Sequence, residues 1–512
     1  MSQNDFTIAN QTFPNTRADI NSALQALAST SSGSSAPSTT FANQFFYNTT
    51  SNLLQIRNED NDAFITIAEL DQTNDTVEYF KSDSVRTALI EFTDGDDALS
   101  IADGGAVTVS TSLDMNGTEL ILDVDADTSI TADTDDQIDF RVANANRAFI
   151  TKNTIGGIIN RRNAKPLIIN GDMQVAQRDT SITGIQNSRF TTVDRFKFSL
   201  SSAGTWTVTQ ADDAPTGSGF QHSWKADCTT ADASLSASDF IQFSTQLEGQ
   251  DVQMFKKGTS SAEKFTISFY VKATKTGTNI LEVDDNDNGR SISQAYTVDS
   301  TNTWEKKVLT FDADTTGAFD NDNASSLRLI WWLSAGATYN SGTLATSWAS
   351  TTNANRAVGQ VNNADSTSNN WQITGVQLEV GEYDSTTIPP FQHESFGDNL
   401  ARCQRYLYDP LRGSGSFGTL VLVGIFSGTF GRGILYAPVE MRTRPAIVET
   451  GNFEIACRTA SPAVTSTAVS TRTGTQAIEV QFNVSSGLDS GETGMVRRDS
   501  NDTATFRLDA EL

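Results

Sequence analysis

The chain has 512 residues, enough for roughly three or four domains and at least one large core. A hydrophobic fraction of 37% and a charged fraction of 19% exclude a disordered or membrane-embedded chain and suit a globular, β-rich one. A formal net charge of −26 excludes binding along a nucleic-acid backbone unless a local basic groove exists, and it keeps a concentrated assembly protein soluble.

The opening MSQNDFTIANQTFP has neither a basic leader nor an apolar run, so no signal peptide is expected. The longest apolar run, Leu420 to Phe426, is too short to cross a bilayer. Residues 1–75 form a first region. Thr16 and Asp19 stand at capping-box spacing, and Ile20, Ala23, Leu24 and Leu27 recur on one helical face. This predicts one short amphipathic helix ending before a flexible linker, SSGSSAPS. FFYNTTSNLLQIRNEDNDAFITIAEL then has the pattern of hairpin-rich β structure with Asn/Asp turns. A lone short helix gains its stability by packing on something else. Ile20, Leu24 and Leu27 are therefore either core residues of a small domain or a packing face toward a partner.

Residues 76–164 alternate only briefly, at Leu99/Ile101, Val107/Val109, Leu120/Leu122/Val124, Ile130 and Ile138/Phe140/Val142, between Asp/Gly/Asn turns. Segments such as DADTSITADTDDQIDF are too short and acidic to bury a core within one chain. Stacked β turns from three chains are expected to share one, as in a β-rich shaft; a small β domain or a linker is the alternative.

Residues 165–397 have the clearest strand signals. Phe196, Phe198 and Leu200 alternate with Arg195, Lys197 and Ser199. Phe265, Ile267, Phe269 and Val271 alternate with Thr266, Ser268, Tyr270 and Lys272. Leu327, Leu329, Trp331 and Leu333 share one face, with Ile330 and Trp332 on the other; Val376, Leu378, Val380, Trp206/Val208 and Ile241/Phe243 add further strands. Regular antiparallel strands with turns between them predict a two-sheet sandwich of jelly-roll type. Residues 398–512 open on a short predicted helix with Leu400, Cys403 and Leu407 on one side. Strands follow, among them Ile478, Val480 and Phe482, predicting a second, C-terminal β domain at a distal tip. The fold class is mainly β.

The chemistry-bearing residues are few. The two histidines, His222 and His393, lie in no G-x-S-x-G or H-E-x-x-H context, so no triad or zinc site is indicated. Cys228, Cys403 and Cys457 are an odd number without metal-ligand spacing, as expected of a chain folding in a reducing cytosol. Among the 62 acidic residues a glycosidase-like carboxylate pair is neither found nor excluded by sequence, and no catalytic residues are assigned. Asp284, Asn286 and Asn288, followed by Gly289, match the first half of a calcium loop, but Ala295 stands where its last ligand belongs. An EF-hand is excluded; a structural Ca²⁺ in a sandwich loop and a plain Asx-rich hairpin turn both remain, and no other cofactor is expected. The region from Ser334 to Asn370 holds Tyr339, Trp348, Asn353, Asn355 and Arg356 without strand alternation. Aromatic platforms beside amide and guanidinium donors suit the apolar faces and hydroxyl rims of sugars. These five are the candidate glycan-binding residues, with Trp348 alternatively a plug closing the sandwich end. Trp331 and Trp371 are expected in the core.

In order, KPLIINGDMQVAQR, TTVDRFKF, WEKKVLTFDADTTGAFDNDNASSLRLIWWL, WQITGVQLEVGEY and FGDNLARCQRYLY run over Lys165 to Tyr408. This string resembles the jelly-roll, carbohydrate-binding-like module in tail fibres of tailed bacteriophages, particularly marine ones. The stretch ANQT…RADINSALQALAS…SSG…APSTT resembles the anchoring region of such fibres, and residues 76–164 resemble their shafts. The resemblance implies a homotrimer whose N-terminal helix packs through Ile20, Leu24 and Leu27 on a tail adaptor or nozzle protein. It also implies attachment to a host-surface glycan or outer-membrane protein, with no nucleic-acid partner, no membrane insertion and no enzymatic activity. Such a protein is assembled in the host cytoplasm and works as part of the virion. A purely structural tail-surface or capsid-decorating protein and a tailspike polysaccharide depolymerase are the alternatives.

Overall fold

The computed structural model describes residues 3–80, 89–91, 97–101, 107–109, 119–124, 126–132, 137–142, 145–151, 155–156, 165–500 and 503–512. Most of the turns expected between the shaft strands lie outside the described residues. The chain divides into two compact units, Met1–Asn146 and Arg147–Leu512.

The helix of the first unit runs Phe13–Ala28, starting earlier than the Thr16/Asp19 spacing implies. Pro14 sits in its first turn, where a fixed φ and a missing N–H do no harm, and Thr12 makes no side-chain cap. Thr16 lies inside the helix, its amide donating to the Thr12 carbonyl at 3.0 Å. Ala26 is the helix residue that is buried, whereas Ile20, Leu24 and Leu27 are exposed, so these three are not core residues of this unit. The expected linker is packed rather than free. Gly33 donates to the Tyr47 carbonyl at 3.1 Å and accepts from Thr49 at 2.9 Å, and Ser31 and Pro37 are buried. Four antiparallel strands follow in chain order: Phe45–Asn48, Leu53–Arg57, Phe64–Asp71 and Thr76–Phe80.

Among the shaft strands, Leu99 is opposite Val109 and Ile101 opposite Val107. Ile130 is opposite both Phe140 and Leu120, which places Leu120, Ile130, Phe140 and Ile138 on one face of their sheet. Burial on this sheet is inverted. Leu120, Leu122, Val124, Ile138 and Val142 are exposed, while Ser129, Thr131 and Asp139 are buried.

The second unit contains a two-sheet antiparallel sandwich. One sheet has six strands in the order Ser181–Ile185, Thr205–Ala211, Ser223–Thr230, Asn370–Val380, Phe265–Ala273, Glu305–Phe311. The other has seven: Arg189–Phe190, Phe196–Ser201, Phe240–Glu248, Ser325–Ala335, Gly277–Asp285, Arg290–Val298, Ala349–Ser350. The inward alternation expected of Phe196/Phe198/Leu200, Phe265–Val271, Leu327–Leu333 and Val376–Val380 is present, and Trp206, Trp224, Trp331 and Trp371 are fully buried between the sheets. Each such ring contributes several kcal/mol, since Trp→Ala in a core costs about 3–5 kcal/mol. Thr266, Ser268, Thr374, Gln377 and Glu379 are buried as well, although they point away from this core. Segments 213–222 and 381–394 cross that outer face: the Phe220 ring lies 5.7 Å from Tyr270, 4.9 Å from Phe391 and 5.2 Å from His393.

The C-terminal domain opens on a helix, Phe396–Gln404, capped by Ser395, whose Oγ accepts from the Asp398 amide at 3.2 Å. Its buried residues are Asn399 and Cys403; Leu400 is half-buried, and Leu407 is buried in the short strand Leu407–Tyr408 rather than on the helix. A six-stranded and a three-stranded antiparallel sheet enclose a core that includes Ile478, Val480, Phe482, Phe453 and Phe506.

Candidate functional site

The structure does not gather the five sugar-binding candidates into one site. Outward-facing Ile280, Ile330 and Trp332 form a second small core on the seven-stranded sheet, and the region after Ser334 folds over it. Tyr339 is part of that cover, its ring 5.3 Å from Trp332 and 5.7 Å from Phe240. Arg356 lies against Trp332 and donates through Nε to Glu282 Oε1 at 2.7 Å; the Trp332 indole donates to the other Glu282 oxygen at 2.9 Å. Glu282 is fully buried, and that burial pushes its carboxyl above the ordinary range against the pull of Arg356. Asn355 holds the loop together, accepting from the Thr343 amide at 3.1 Å, and Asn353 is exposed in the short 3₁₀ turn beside it. Trp348 lies elsewhere, half-buried against the main core, its indole donating to the Asp312 carbonyl at 2.8 Å.

Of the residues singled out for calcium, Asp284 lies in a strand and Asn286 and Asn288 in the hairpin turn after it, and each faces a different partner. Asp284 accepts from Arg328 at 2.6 Å, the Asn286 amide donates to Ser325 Oγ at 2.7 Å, and the Asn288 amide donates to Asp285 Oδ2 at 3.0 Å. Asp285 Oδ1 also accepts the backbone amides of Asp287 and Asn288, both at 3.1 Å, as an Asx turn does. This arrangement does not fit a Ca²⁺ ion held by Asp284, Asn286 and Asn288. Among the described residues no group of three His, Cys, Asp or Glu side chains is placed to hold a metal.

A different surface has the makings of a ligand site: a strip across the six-stranded sheet's outer face, beside the start of the crossing segment 213–222. Strand register puts Thr209 opposite Lys225, Lys225 opposite Gln372, and Gln372 opposite Lys272. Glu305 pairs with Val271, so Trp304, one residue before it, closes the row beside Lys272. Five strands separated by ~4.8 Å make this strip about 19 Å long. Trp304, Tyr270, Lys225, Lys272 and Thr209 are half-buried, and Gln372 between them is buried.

One carboxylate organises the aromatic end. Asp213 Oδ2 accepts from Lys272 Nζ at 2.8 Å, and Asp213 Oδ1 accepts from the Trp304 indole at 3.1 Å. The Lys272 ammonium also lies 5.8 Å from the Trp304 ring centroid, a cation–π distance. Burial opposes charge on Asp213, but the hydrogen bonds from Lys272 and Trp304 outweigh it and hold the carboxyl below its ordinary value. At the middle of the strip Gln372 accepts from Ser223 at 3.2 Å, and Lys225 pairs with Asp227 at 2.9 Å. The result is a row of fixed donors and acceptors ending at an indole face. Such a row can hydrogen-bond hydroxyls and stack an apolar ring face.

None of Trp304, Lys272, Gln372, Lys225 and Asp213 stands out in the sequence. Their local signal is only the outward half of a strand alternation, visible for Lys272 beside Val271 and for Gln372 after Trp371. Their convergence depends on register between strands far apart in sequence, such as the pairing of Gln372 with Lys225, 147 residues earlier.

No protein-family model matches this chain. No curated protein matches it. Solved structures that match part of this chain include the enzymatically active domain of tailspike protein 4 of bacteriophage CBA120, at 13% identity and a TM-score of 0.23, covering 42% of this chain and 21% of that one. They also include a putative sugar-binding protein of Bacteroides thetaiotaomicron, at 13% identity and TM-score 0.23, covering 42% of this chain and 100% of that one. A family 11 carbohydrate-binding module of a Clostridium thermocellum cellulosomal cellulase matches at 10% identity and TM-score 0.21, covering 44% and 99%. The chain thus spans about a fifth of the tailspike it matches. Likenesses of this size leave the sandwich architecture resting on the strand order described above.

Proposed function

We propose that this chain is a tail-fibre subunit of a tailed bacteriophage, assembled in the host cytoplasm, that attaches the virion to host cells by binding a surface glycan. The observation that carries the binding role is the polar strip from Thr209 to Trp304, with Asp213 fixing Lys272 and the indole in place. The carboxylate at its aromatic end, Asp213, is held below its ordinary pKa by hydrogen bonds from Lys272 and Trp304 that outweigh its burial, which suits orienting a ligand. The string of fibre-like motifs from Lys165 to Tyr408 supports the virion role. So does the inverted burial of the shaft strands, where Leu120 and Ile138 face solvent in the single chain as expected if neighbouring copies cover them. The exposed face of Ile20, Leu24 and Leu27 is offered to a tail adaptor or nozzle protein. Weak individual sugar contacts suffice, because several fibres acting together raise avidity by about 10²–10⁴.

The test is retention of the purified full chain on immobilised host-envelope polysaccharide, with Trp304→Ala alongside. Binding by the wild type that the variant loses without losing stability supports the strip. Equal binding by both removes it, and no binding by the wild type removes the glycan reading. Prolonged incubation with the same polysaccharide is expected to release no reducing ends; measurable release would instead support a depolymerase.

A further inference from the structure

Lys257 is a lysine in a place where a metal ion would be chemically at home. Its ammonium is buried and lies 2.5 Å from Asp285 Oδ2, 3.0 Å from Asp314 Oδ2, 2.9 Å from the Thr316 carbonyl and 2.8 Å from the Gly317 carbonyl. That is four oxygens around a group with three N–H donors, an arrangement set by charge as much as by directed hydrogen bonds. The oxygens come from separate parts of the sandwich: Asp285 from the end of the strand Gly277–Asp285, the other three from the segment after Glu305–Phe311. The rings of Phe319 and Trp348 each lie 5.3 Å from the same ammonium. Arg290 donates to both oxygens of Asp314, through Nε at 2.7 Å to the Oδ2 that Lys257 also contacts and through a terminal nitrogen at 3.0 Å to Oδ1, so the cluster holds two carboxylates and two cations.

We propose that the Lys257 ammonium is a tethered replacement for a divalent cation, and that removing it converts this cluster into a Ca²⁺ site. The two carboxylates and two carbonyls are the hard oxygen ligands Ca²⁺ takes, with water completing a shell of 6–8 oxygens at about 2.3–2.6 Å. Removing the lysine side chain frees the space it fills among these oxygens, and a cavity of about 510 Å³ lined by Val252, Gln253, Lys256, Thr259 and Phe319 borders Lys257 itself. The Asp/Asn-rich hairpin that resembles half a calcium loop is thus cross-linked by the chain's own cation. In the wild type these loops are locked without metal, independent of the Ca²⁺ concentration around the cell.

Thermal unfolding of the full chain tests this, in EDTA and in millimolar CaCl₂. The wild type is expected to melt at the same temperature in both. Lys257→Ala is expected to melt well below the wild type in EDTA and to regain at least half of the lost interval in CaCl₂, with half-recovery at about 10⁻⁴–10⁻³ M, the range of extracellular calcium modules. MgCl₂ should do far less, because Mg²⁺ demands octahedral geometry and sheds water reluctantly. Lys257→Asn, which supplies an oxygen ligand instead of empty space, is the second variant. It should show the same gain, including folding only in Ca²⁺ if Lys257→Ala is insoluble without it. Absence of a calcium-dependent gain in both variants, or an equal gain in the wild type, overturns the proposal.

Discussion

Glu248 accepts both the Nε and a terminal nitrogen of Arg405, at 2.8 and 2.7 Å, and so joins the last residue of a sandwich strand to the end of the helix that opens the C-terminal domain. The Tyr406 hydroxyl adds a third bond to Glu248 at 2.5 Å, and the Arg195 guanidinium lies on the Tyr406 ring. Around them Arg178 pairs with Asp509 and Glu511, Arg195 also pairs with Glu511, and Gln246 donates to the Leu512 carbonyl. The two β domains are therefore coupled through buried charges. Arg405→Ala leaves the fully buried Glu248 without its counter-ion, and loss of one partner of a buried pair costs about 3–5 kcal/mol. The expected outcome is earlier unfolding of the C-terminal domain in a denaturant titration and faster proteolysis near residue 395. A single unchanged transition would contradict it.

This joint also predicts a pH response. Burial raises the Asp194 carboxyl to about 6 against the opposing pull of Arg178. A carboxyl raised in the folded state binds more protons there than in the unfolded chain, so its contribution to stability falls as pH rises from about 4 to 6. Asp194→Asn removes that titration. The melting temperature of the variant relative to wild type should therefore climb between pH 4 and 7; a constant difference would show that the Asp194 carboxyl titrates alike in the folded and unfolded chain.

Trp304→Ala is expected to abolish polysaccharide retention while changing stability by no more than about 1 kcal/mol, since the side chain is half-exposed on a sheet face. Trp371→Ala, fully buried one residue before Gln372, is the structural contrast and should cost about 3–5 kcal/mol. Paired melting and binding curves separate the two.

Trp348→Ala should behave in the opposite sense to Trp304→Ala. Its indole is bonded to Asp312 and its ring covers the Lys257 ammonium, so the loss should appear as a lower melting temperature with glycan retention intact. Reduced retention at unchanged melting temperature would return Trp348 to the ligand site.

Assembly is tested by sedimentation. A trimer of 55.3 kDa chains is expected, and Ile138→Asp, which places a charge on the exposed apolar face of the shaft sheet, should shift the protein toward monomer. A monomeric wild type would remove the shared-core reading of residues 76–164.

Alternation and composition by themselves determined the β class, the two-sheet sandwich and the inward faces of its strands. A strand's side chains change sides with every residue, so a sequence such as Phe265–Val271 declares its buried face without help from the rest of the chain. Ordinary turn chemistry was similarly legible in the Asp/Asn hairpin. Tertiary structure decided what lies on the outer faces. Whether an outward residue meets solvent, a crossing segment or a counter-ion depends on elements far away in sequence: Thr374 is buried under one such segment, while Lys272, two strand positions along the same face, stays open. Tyr339 and Arg356 have the composition of a sugar site, yet Ile280 and Trp332 on two strands of the seven-stranded sheet recruit them as cover. Trp304 and Asp213 carry no local signal and become a pair only through the fold. Charge pairing has no sequence period, so only the folded chain could reveal that the cation serving Asp285 is Lys257.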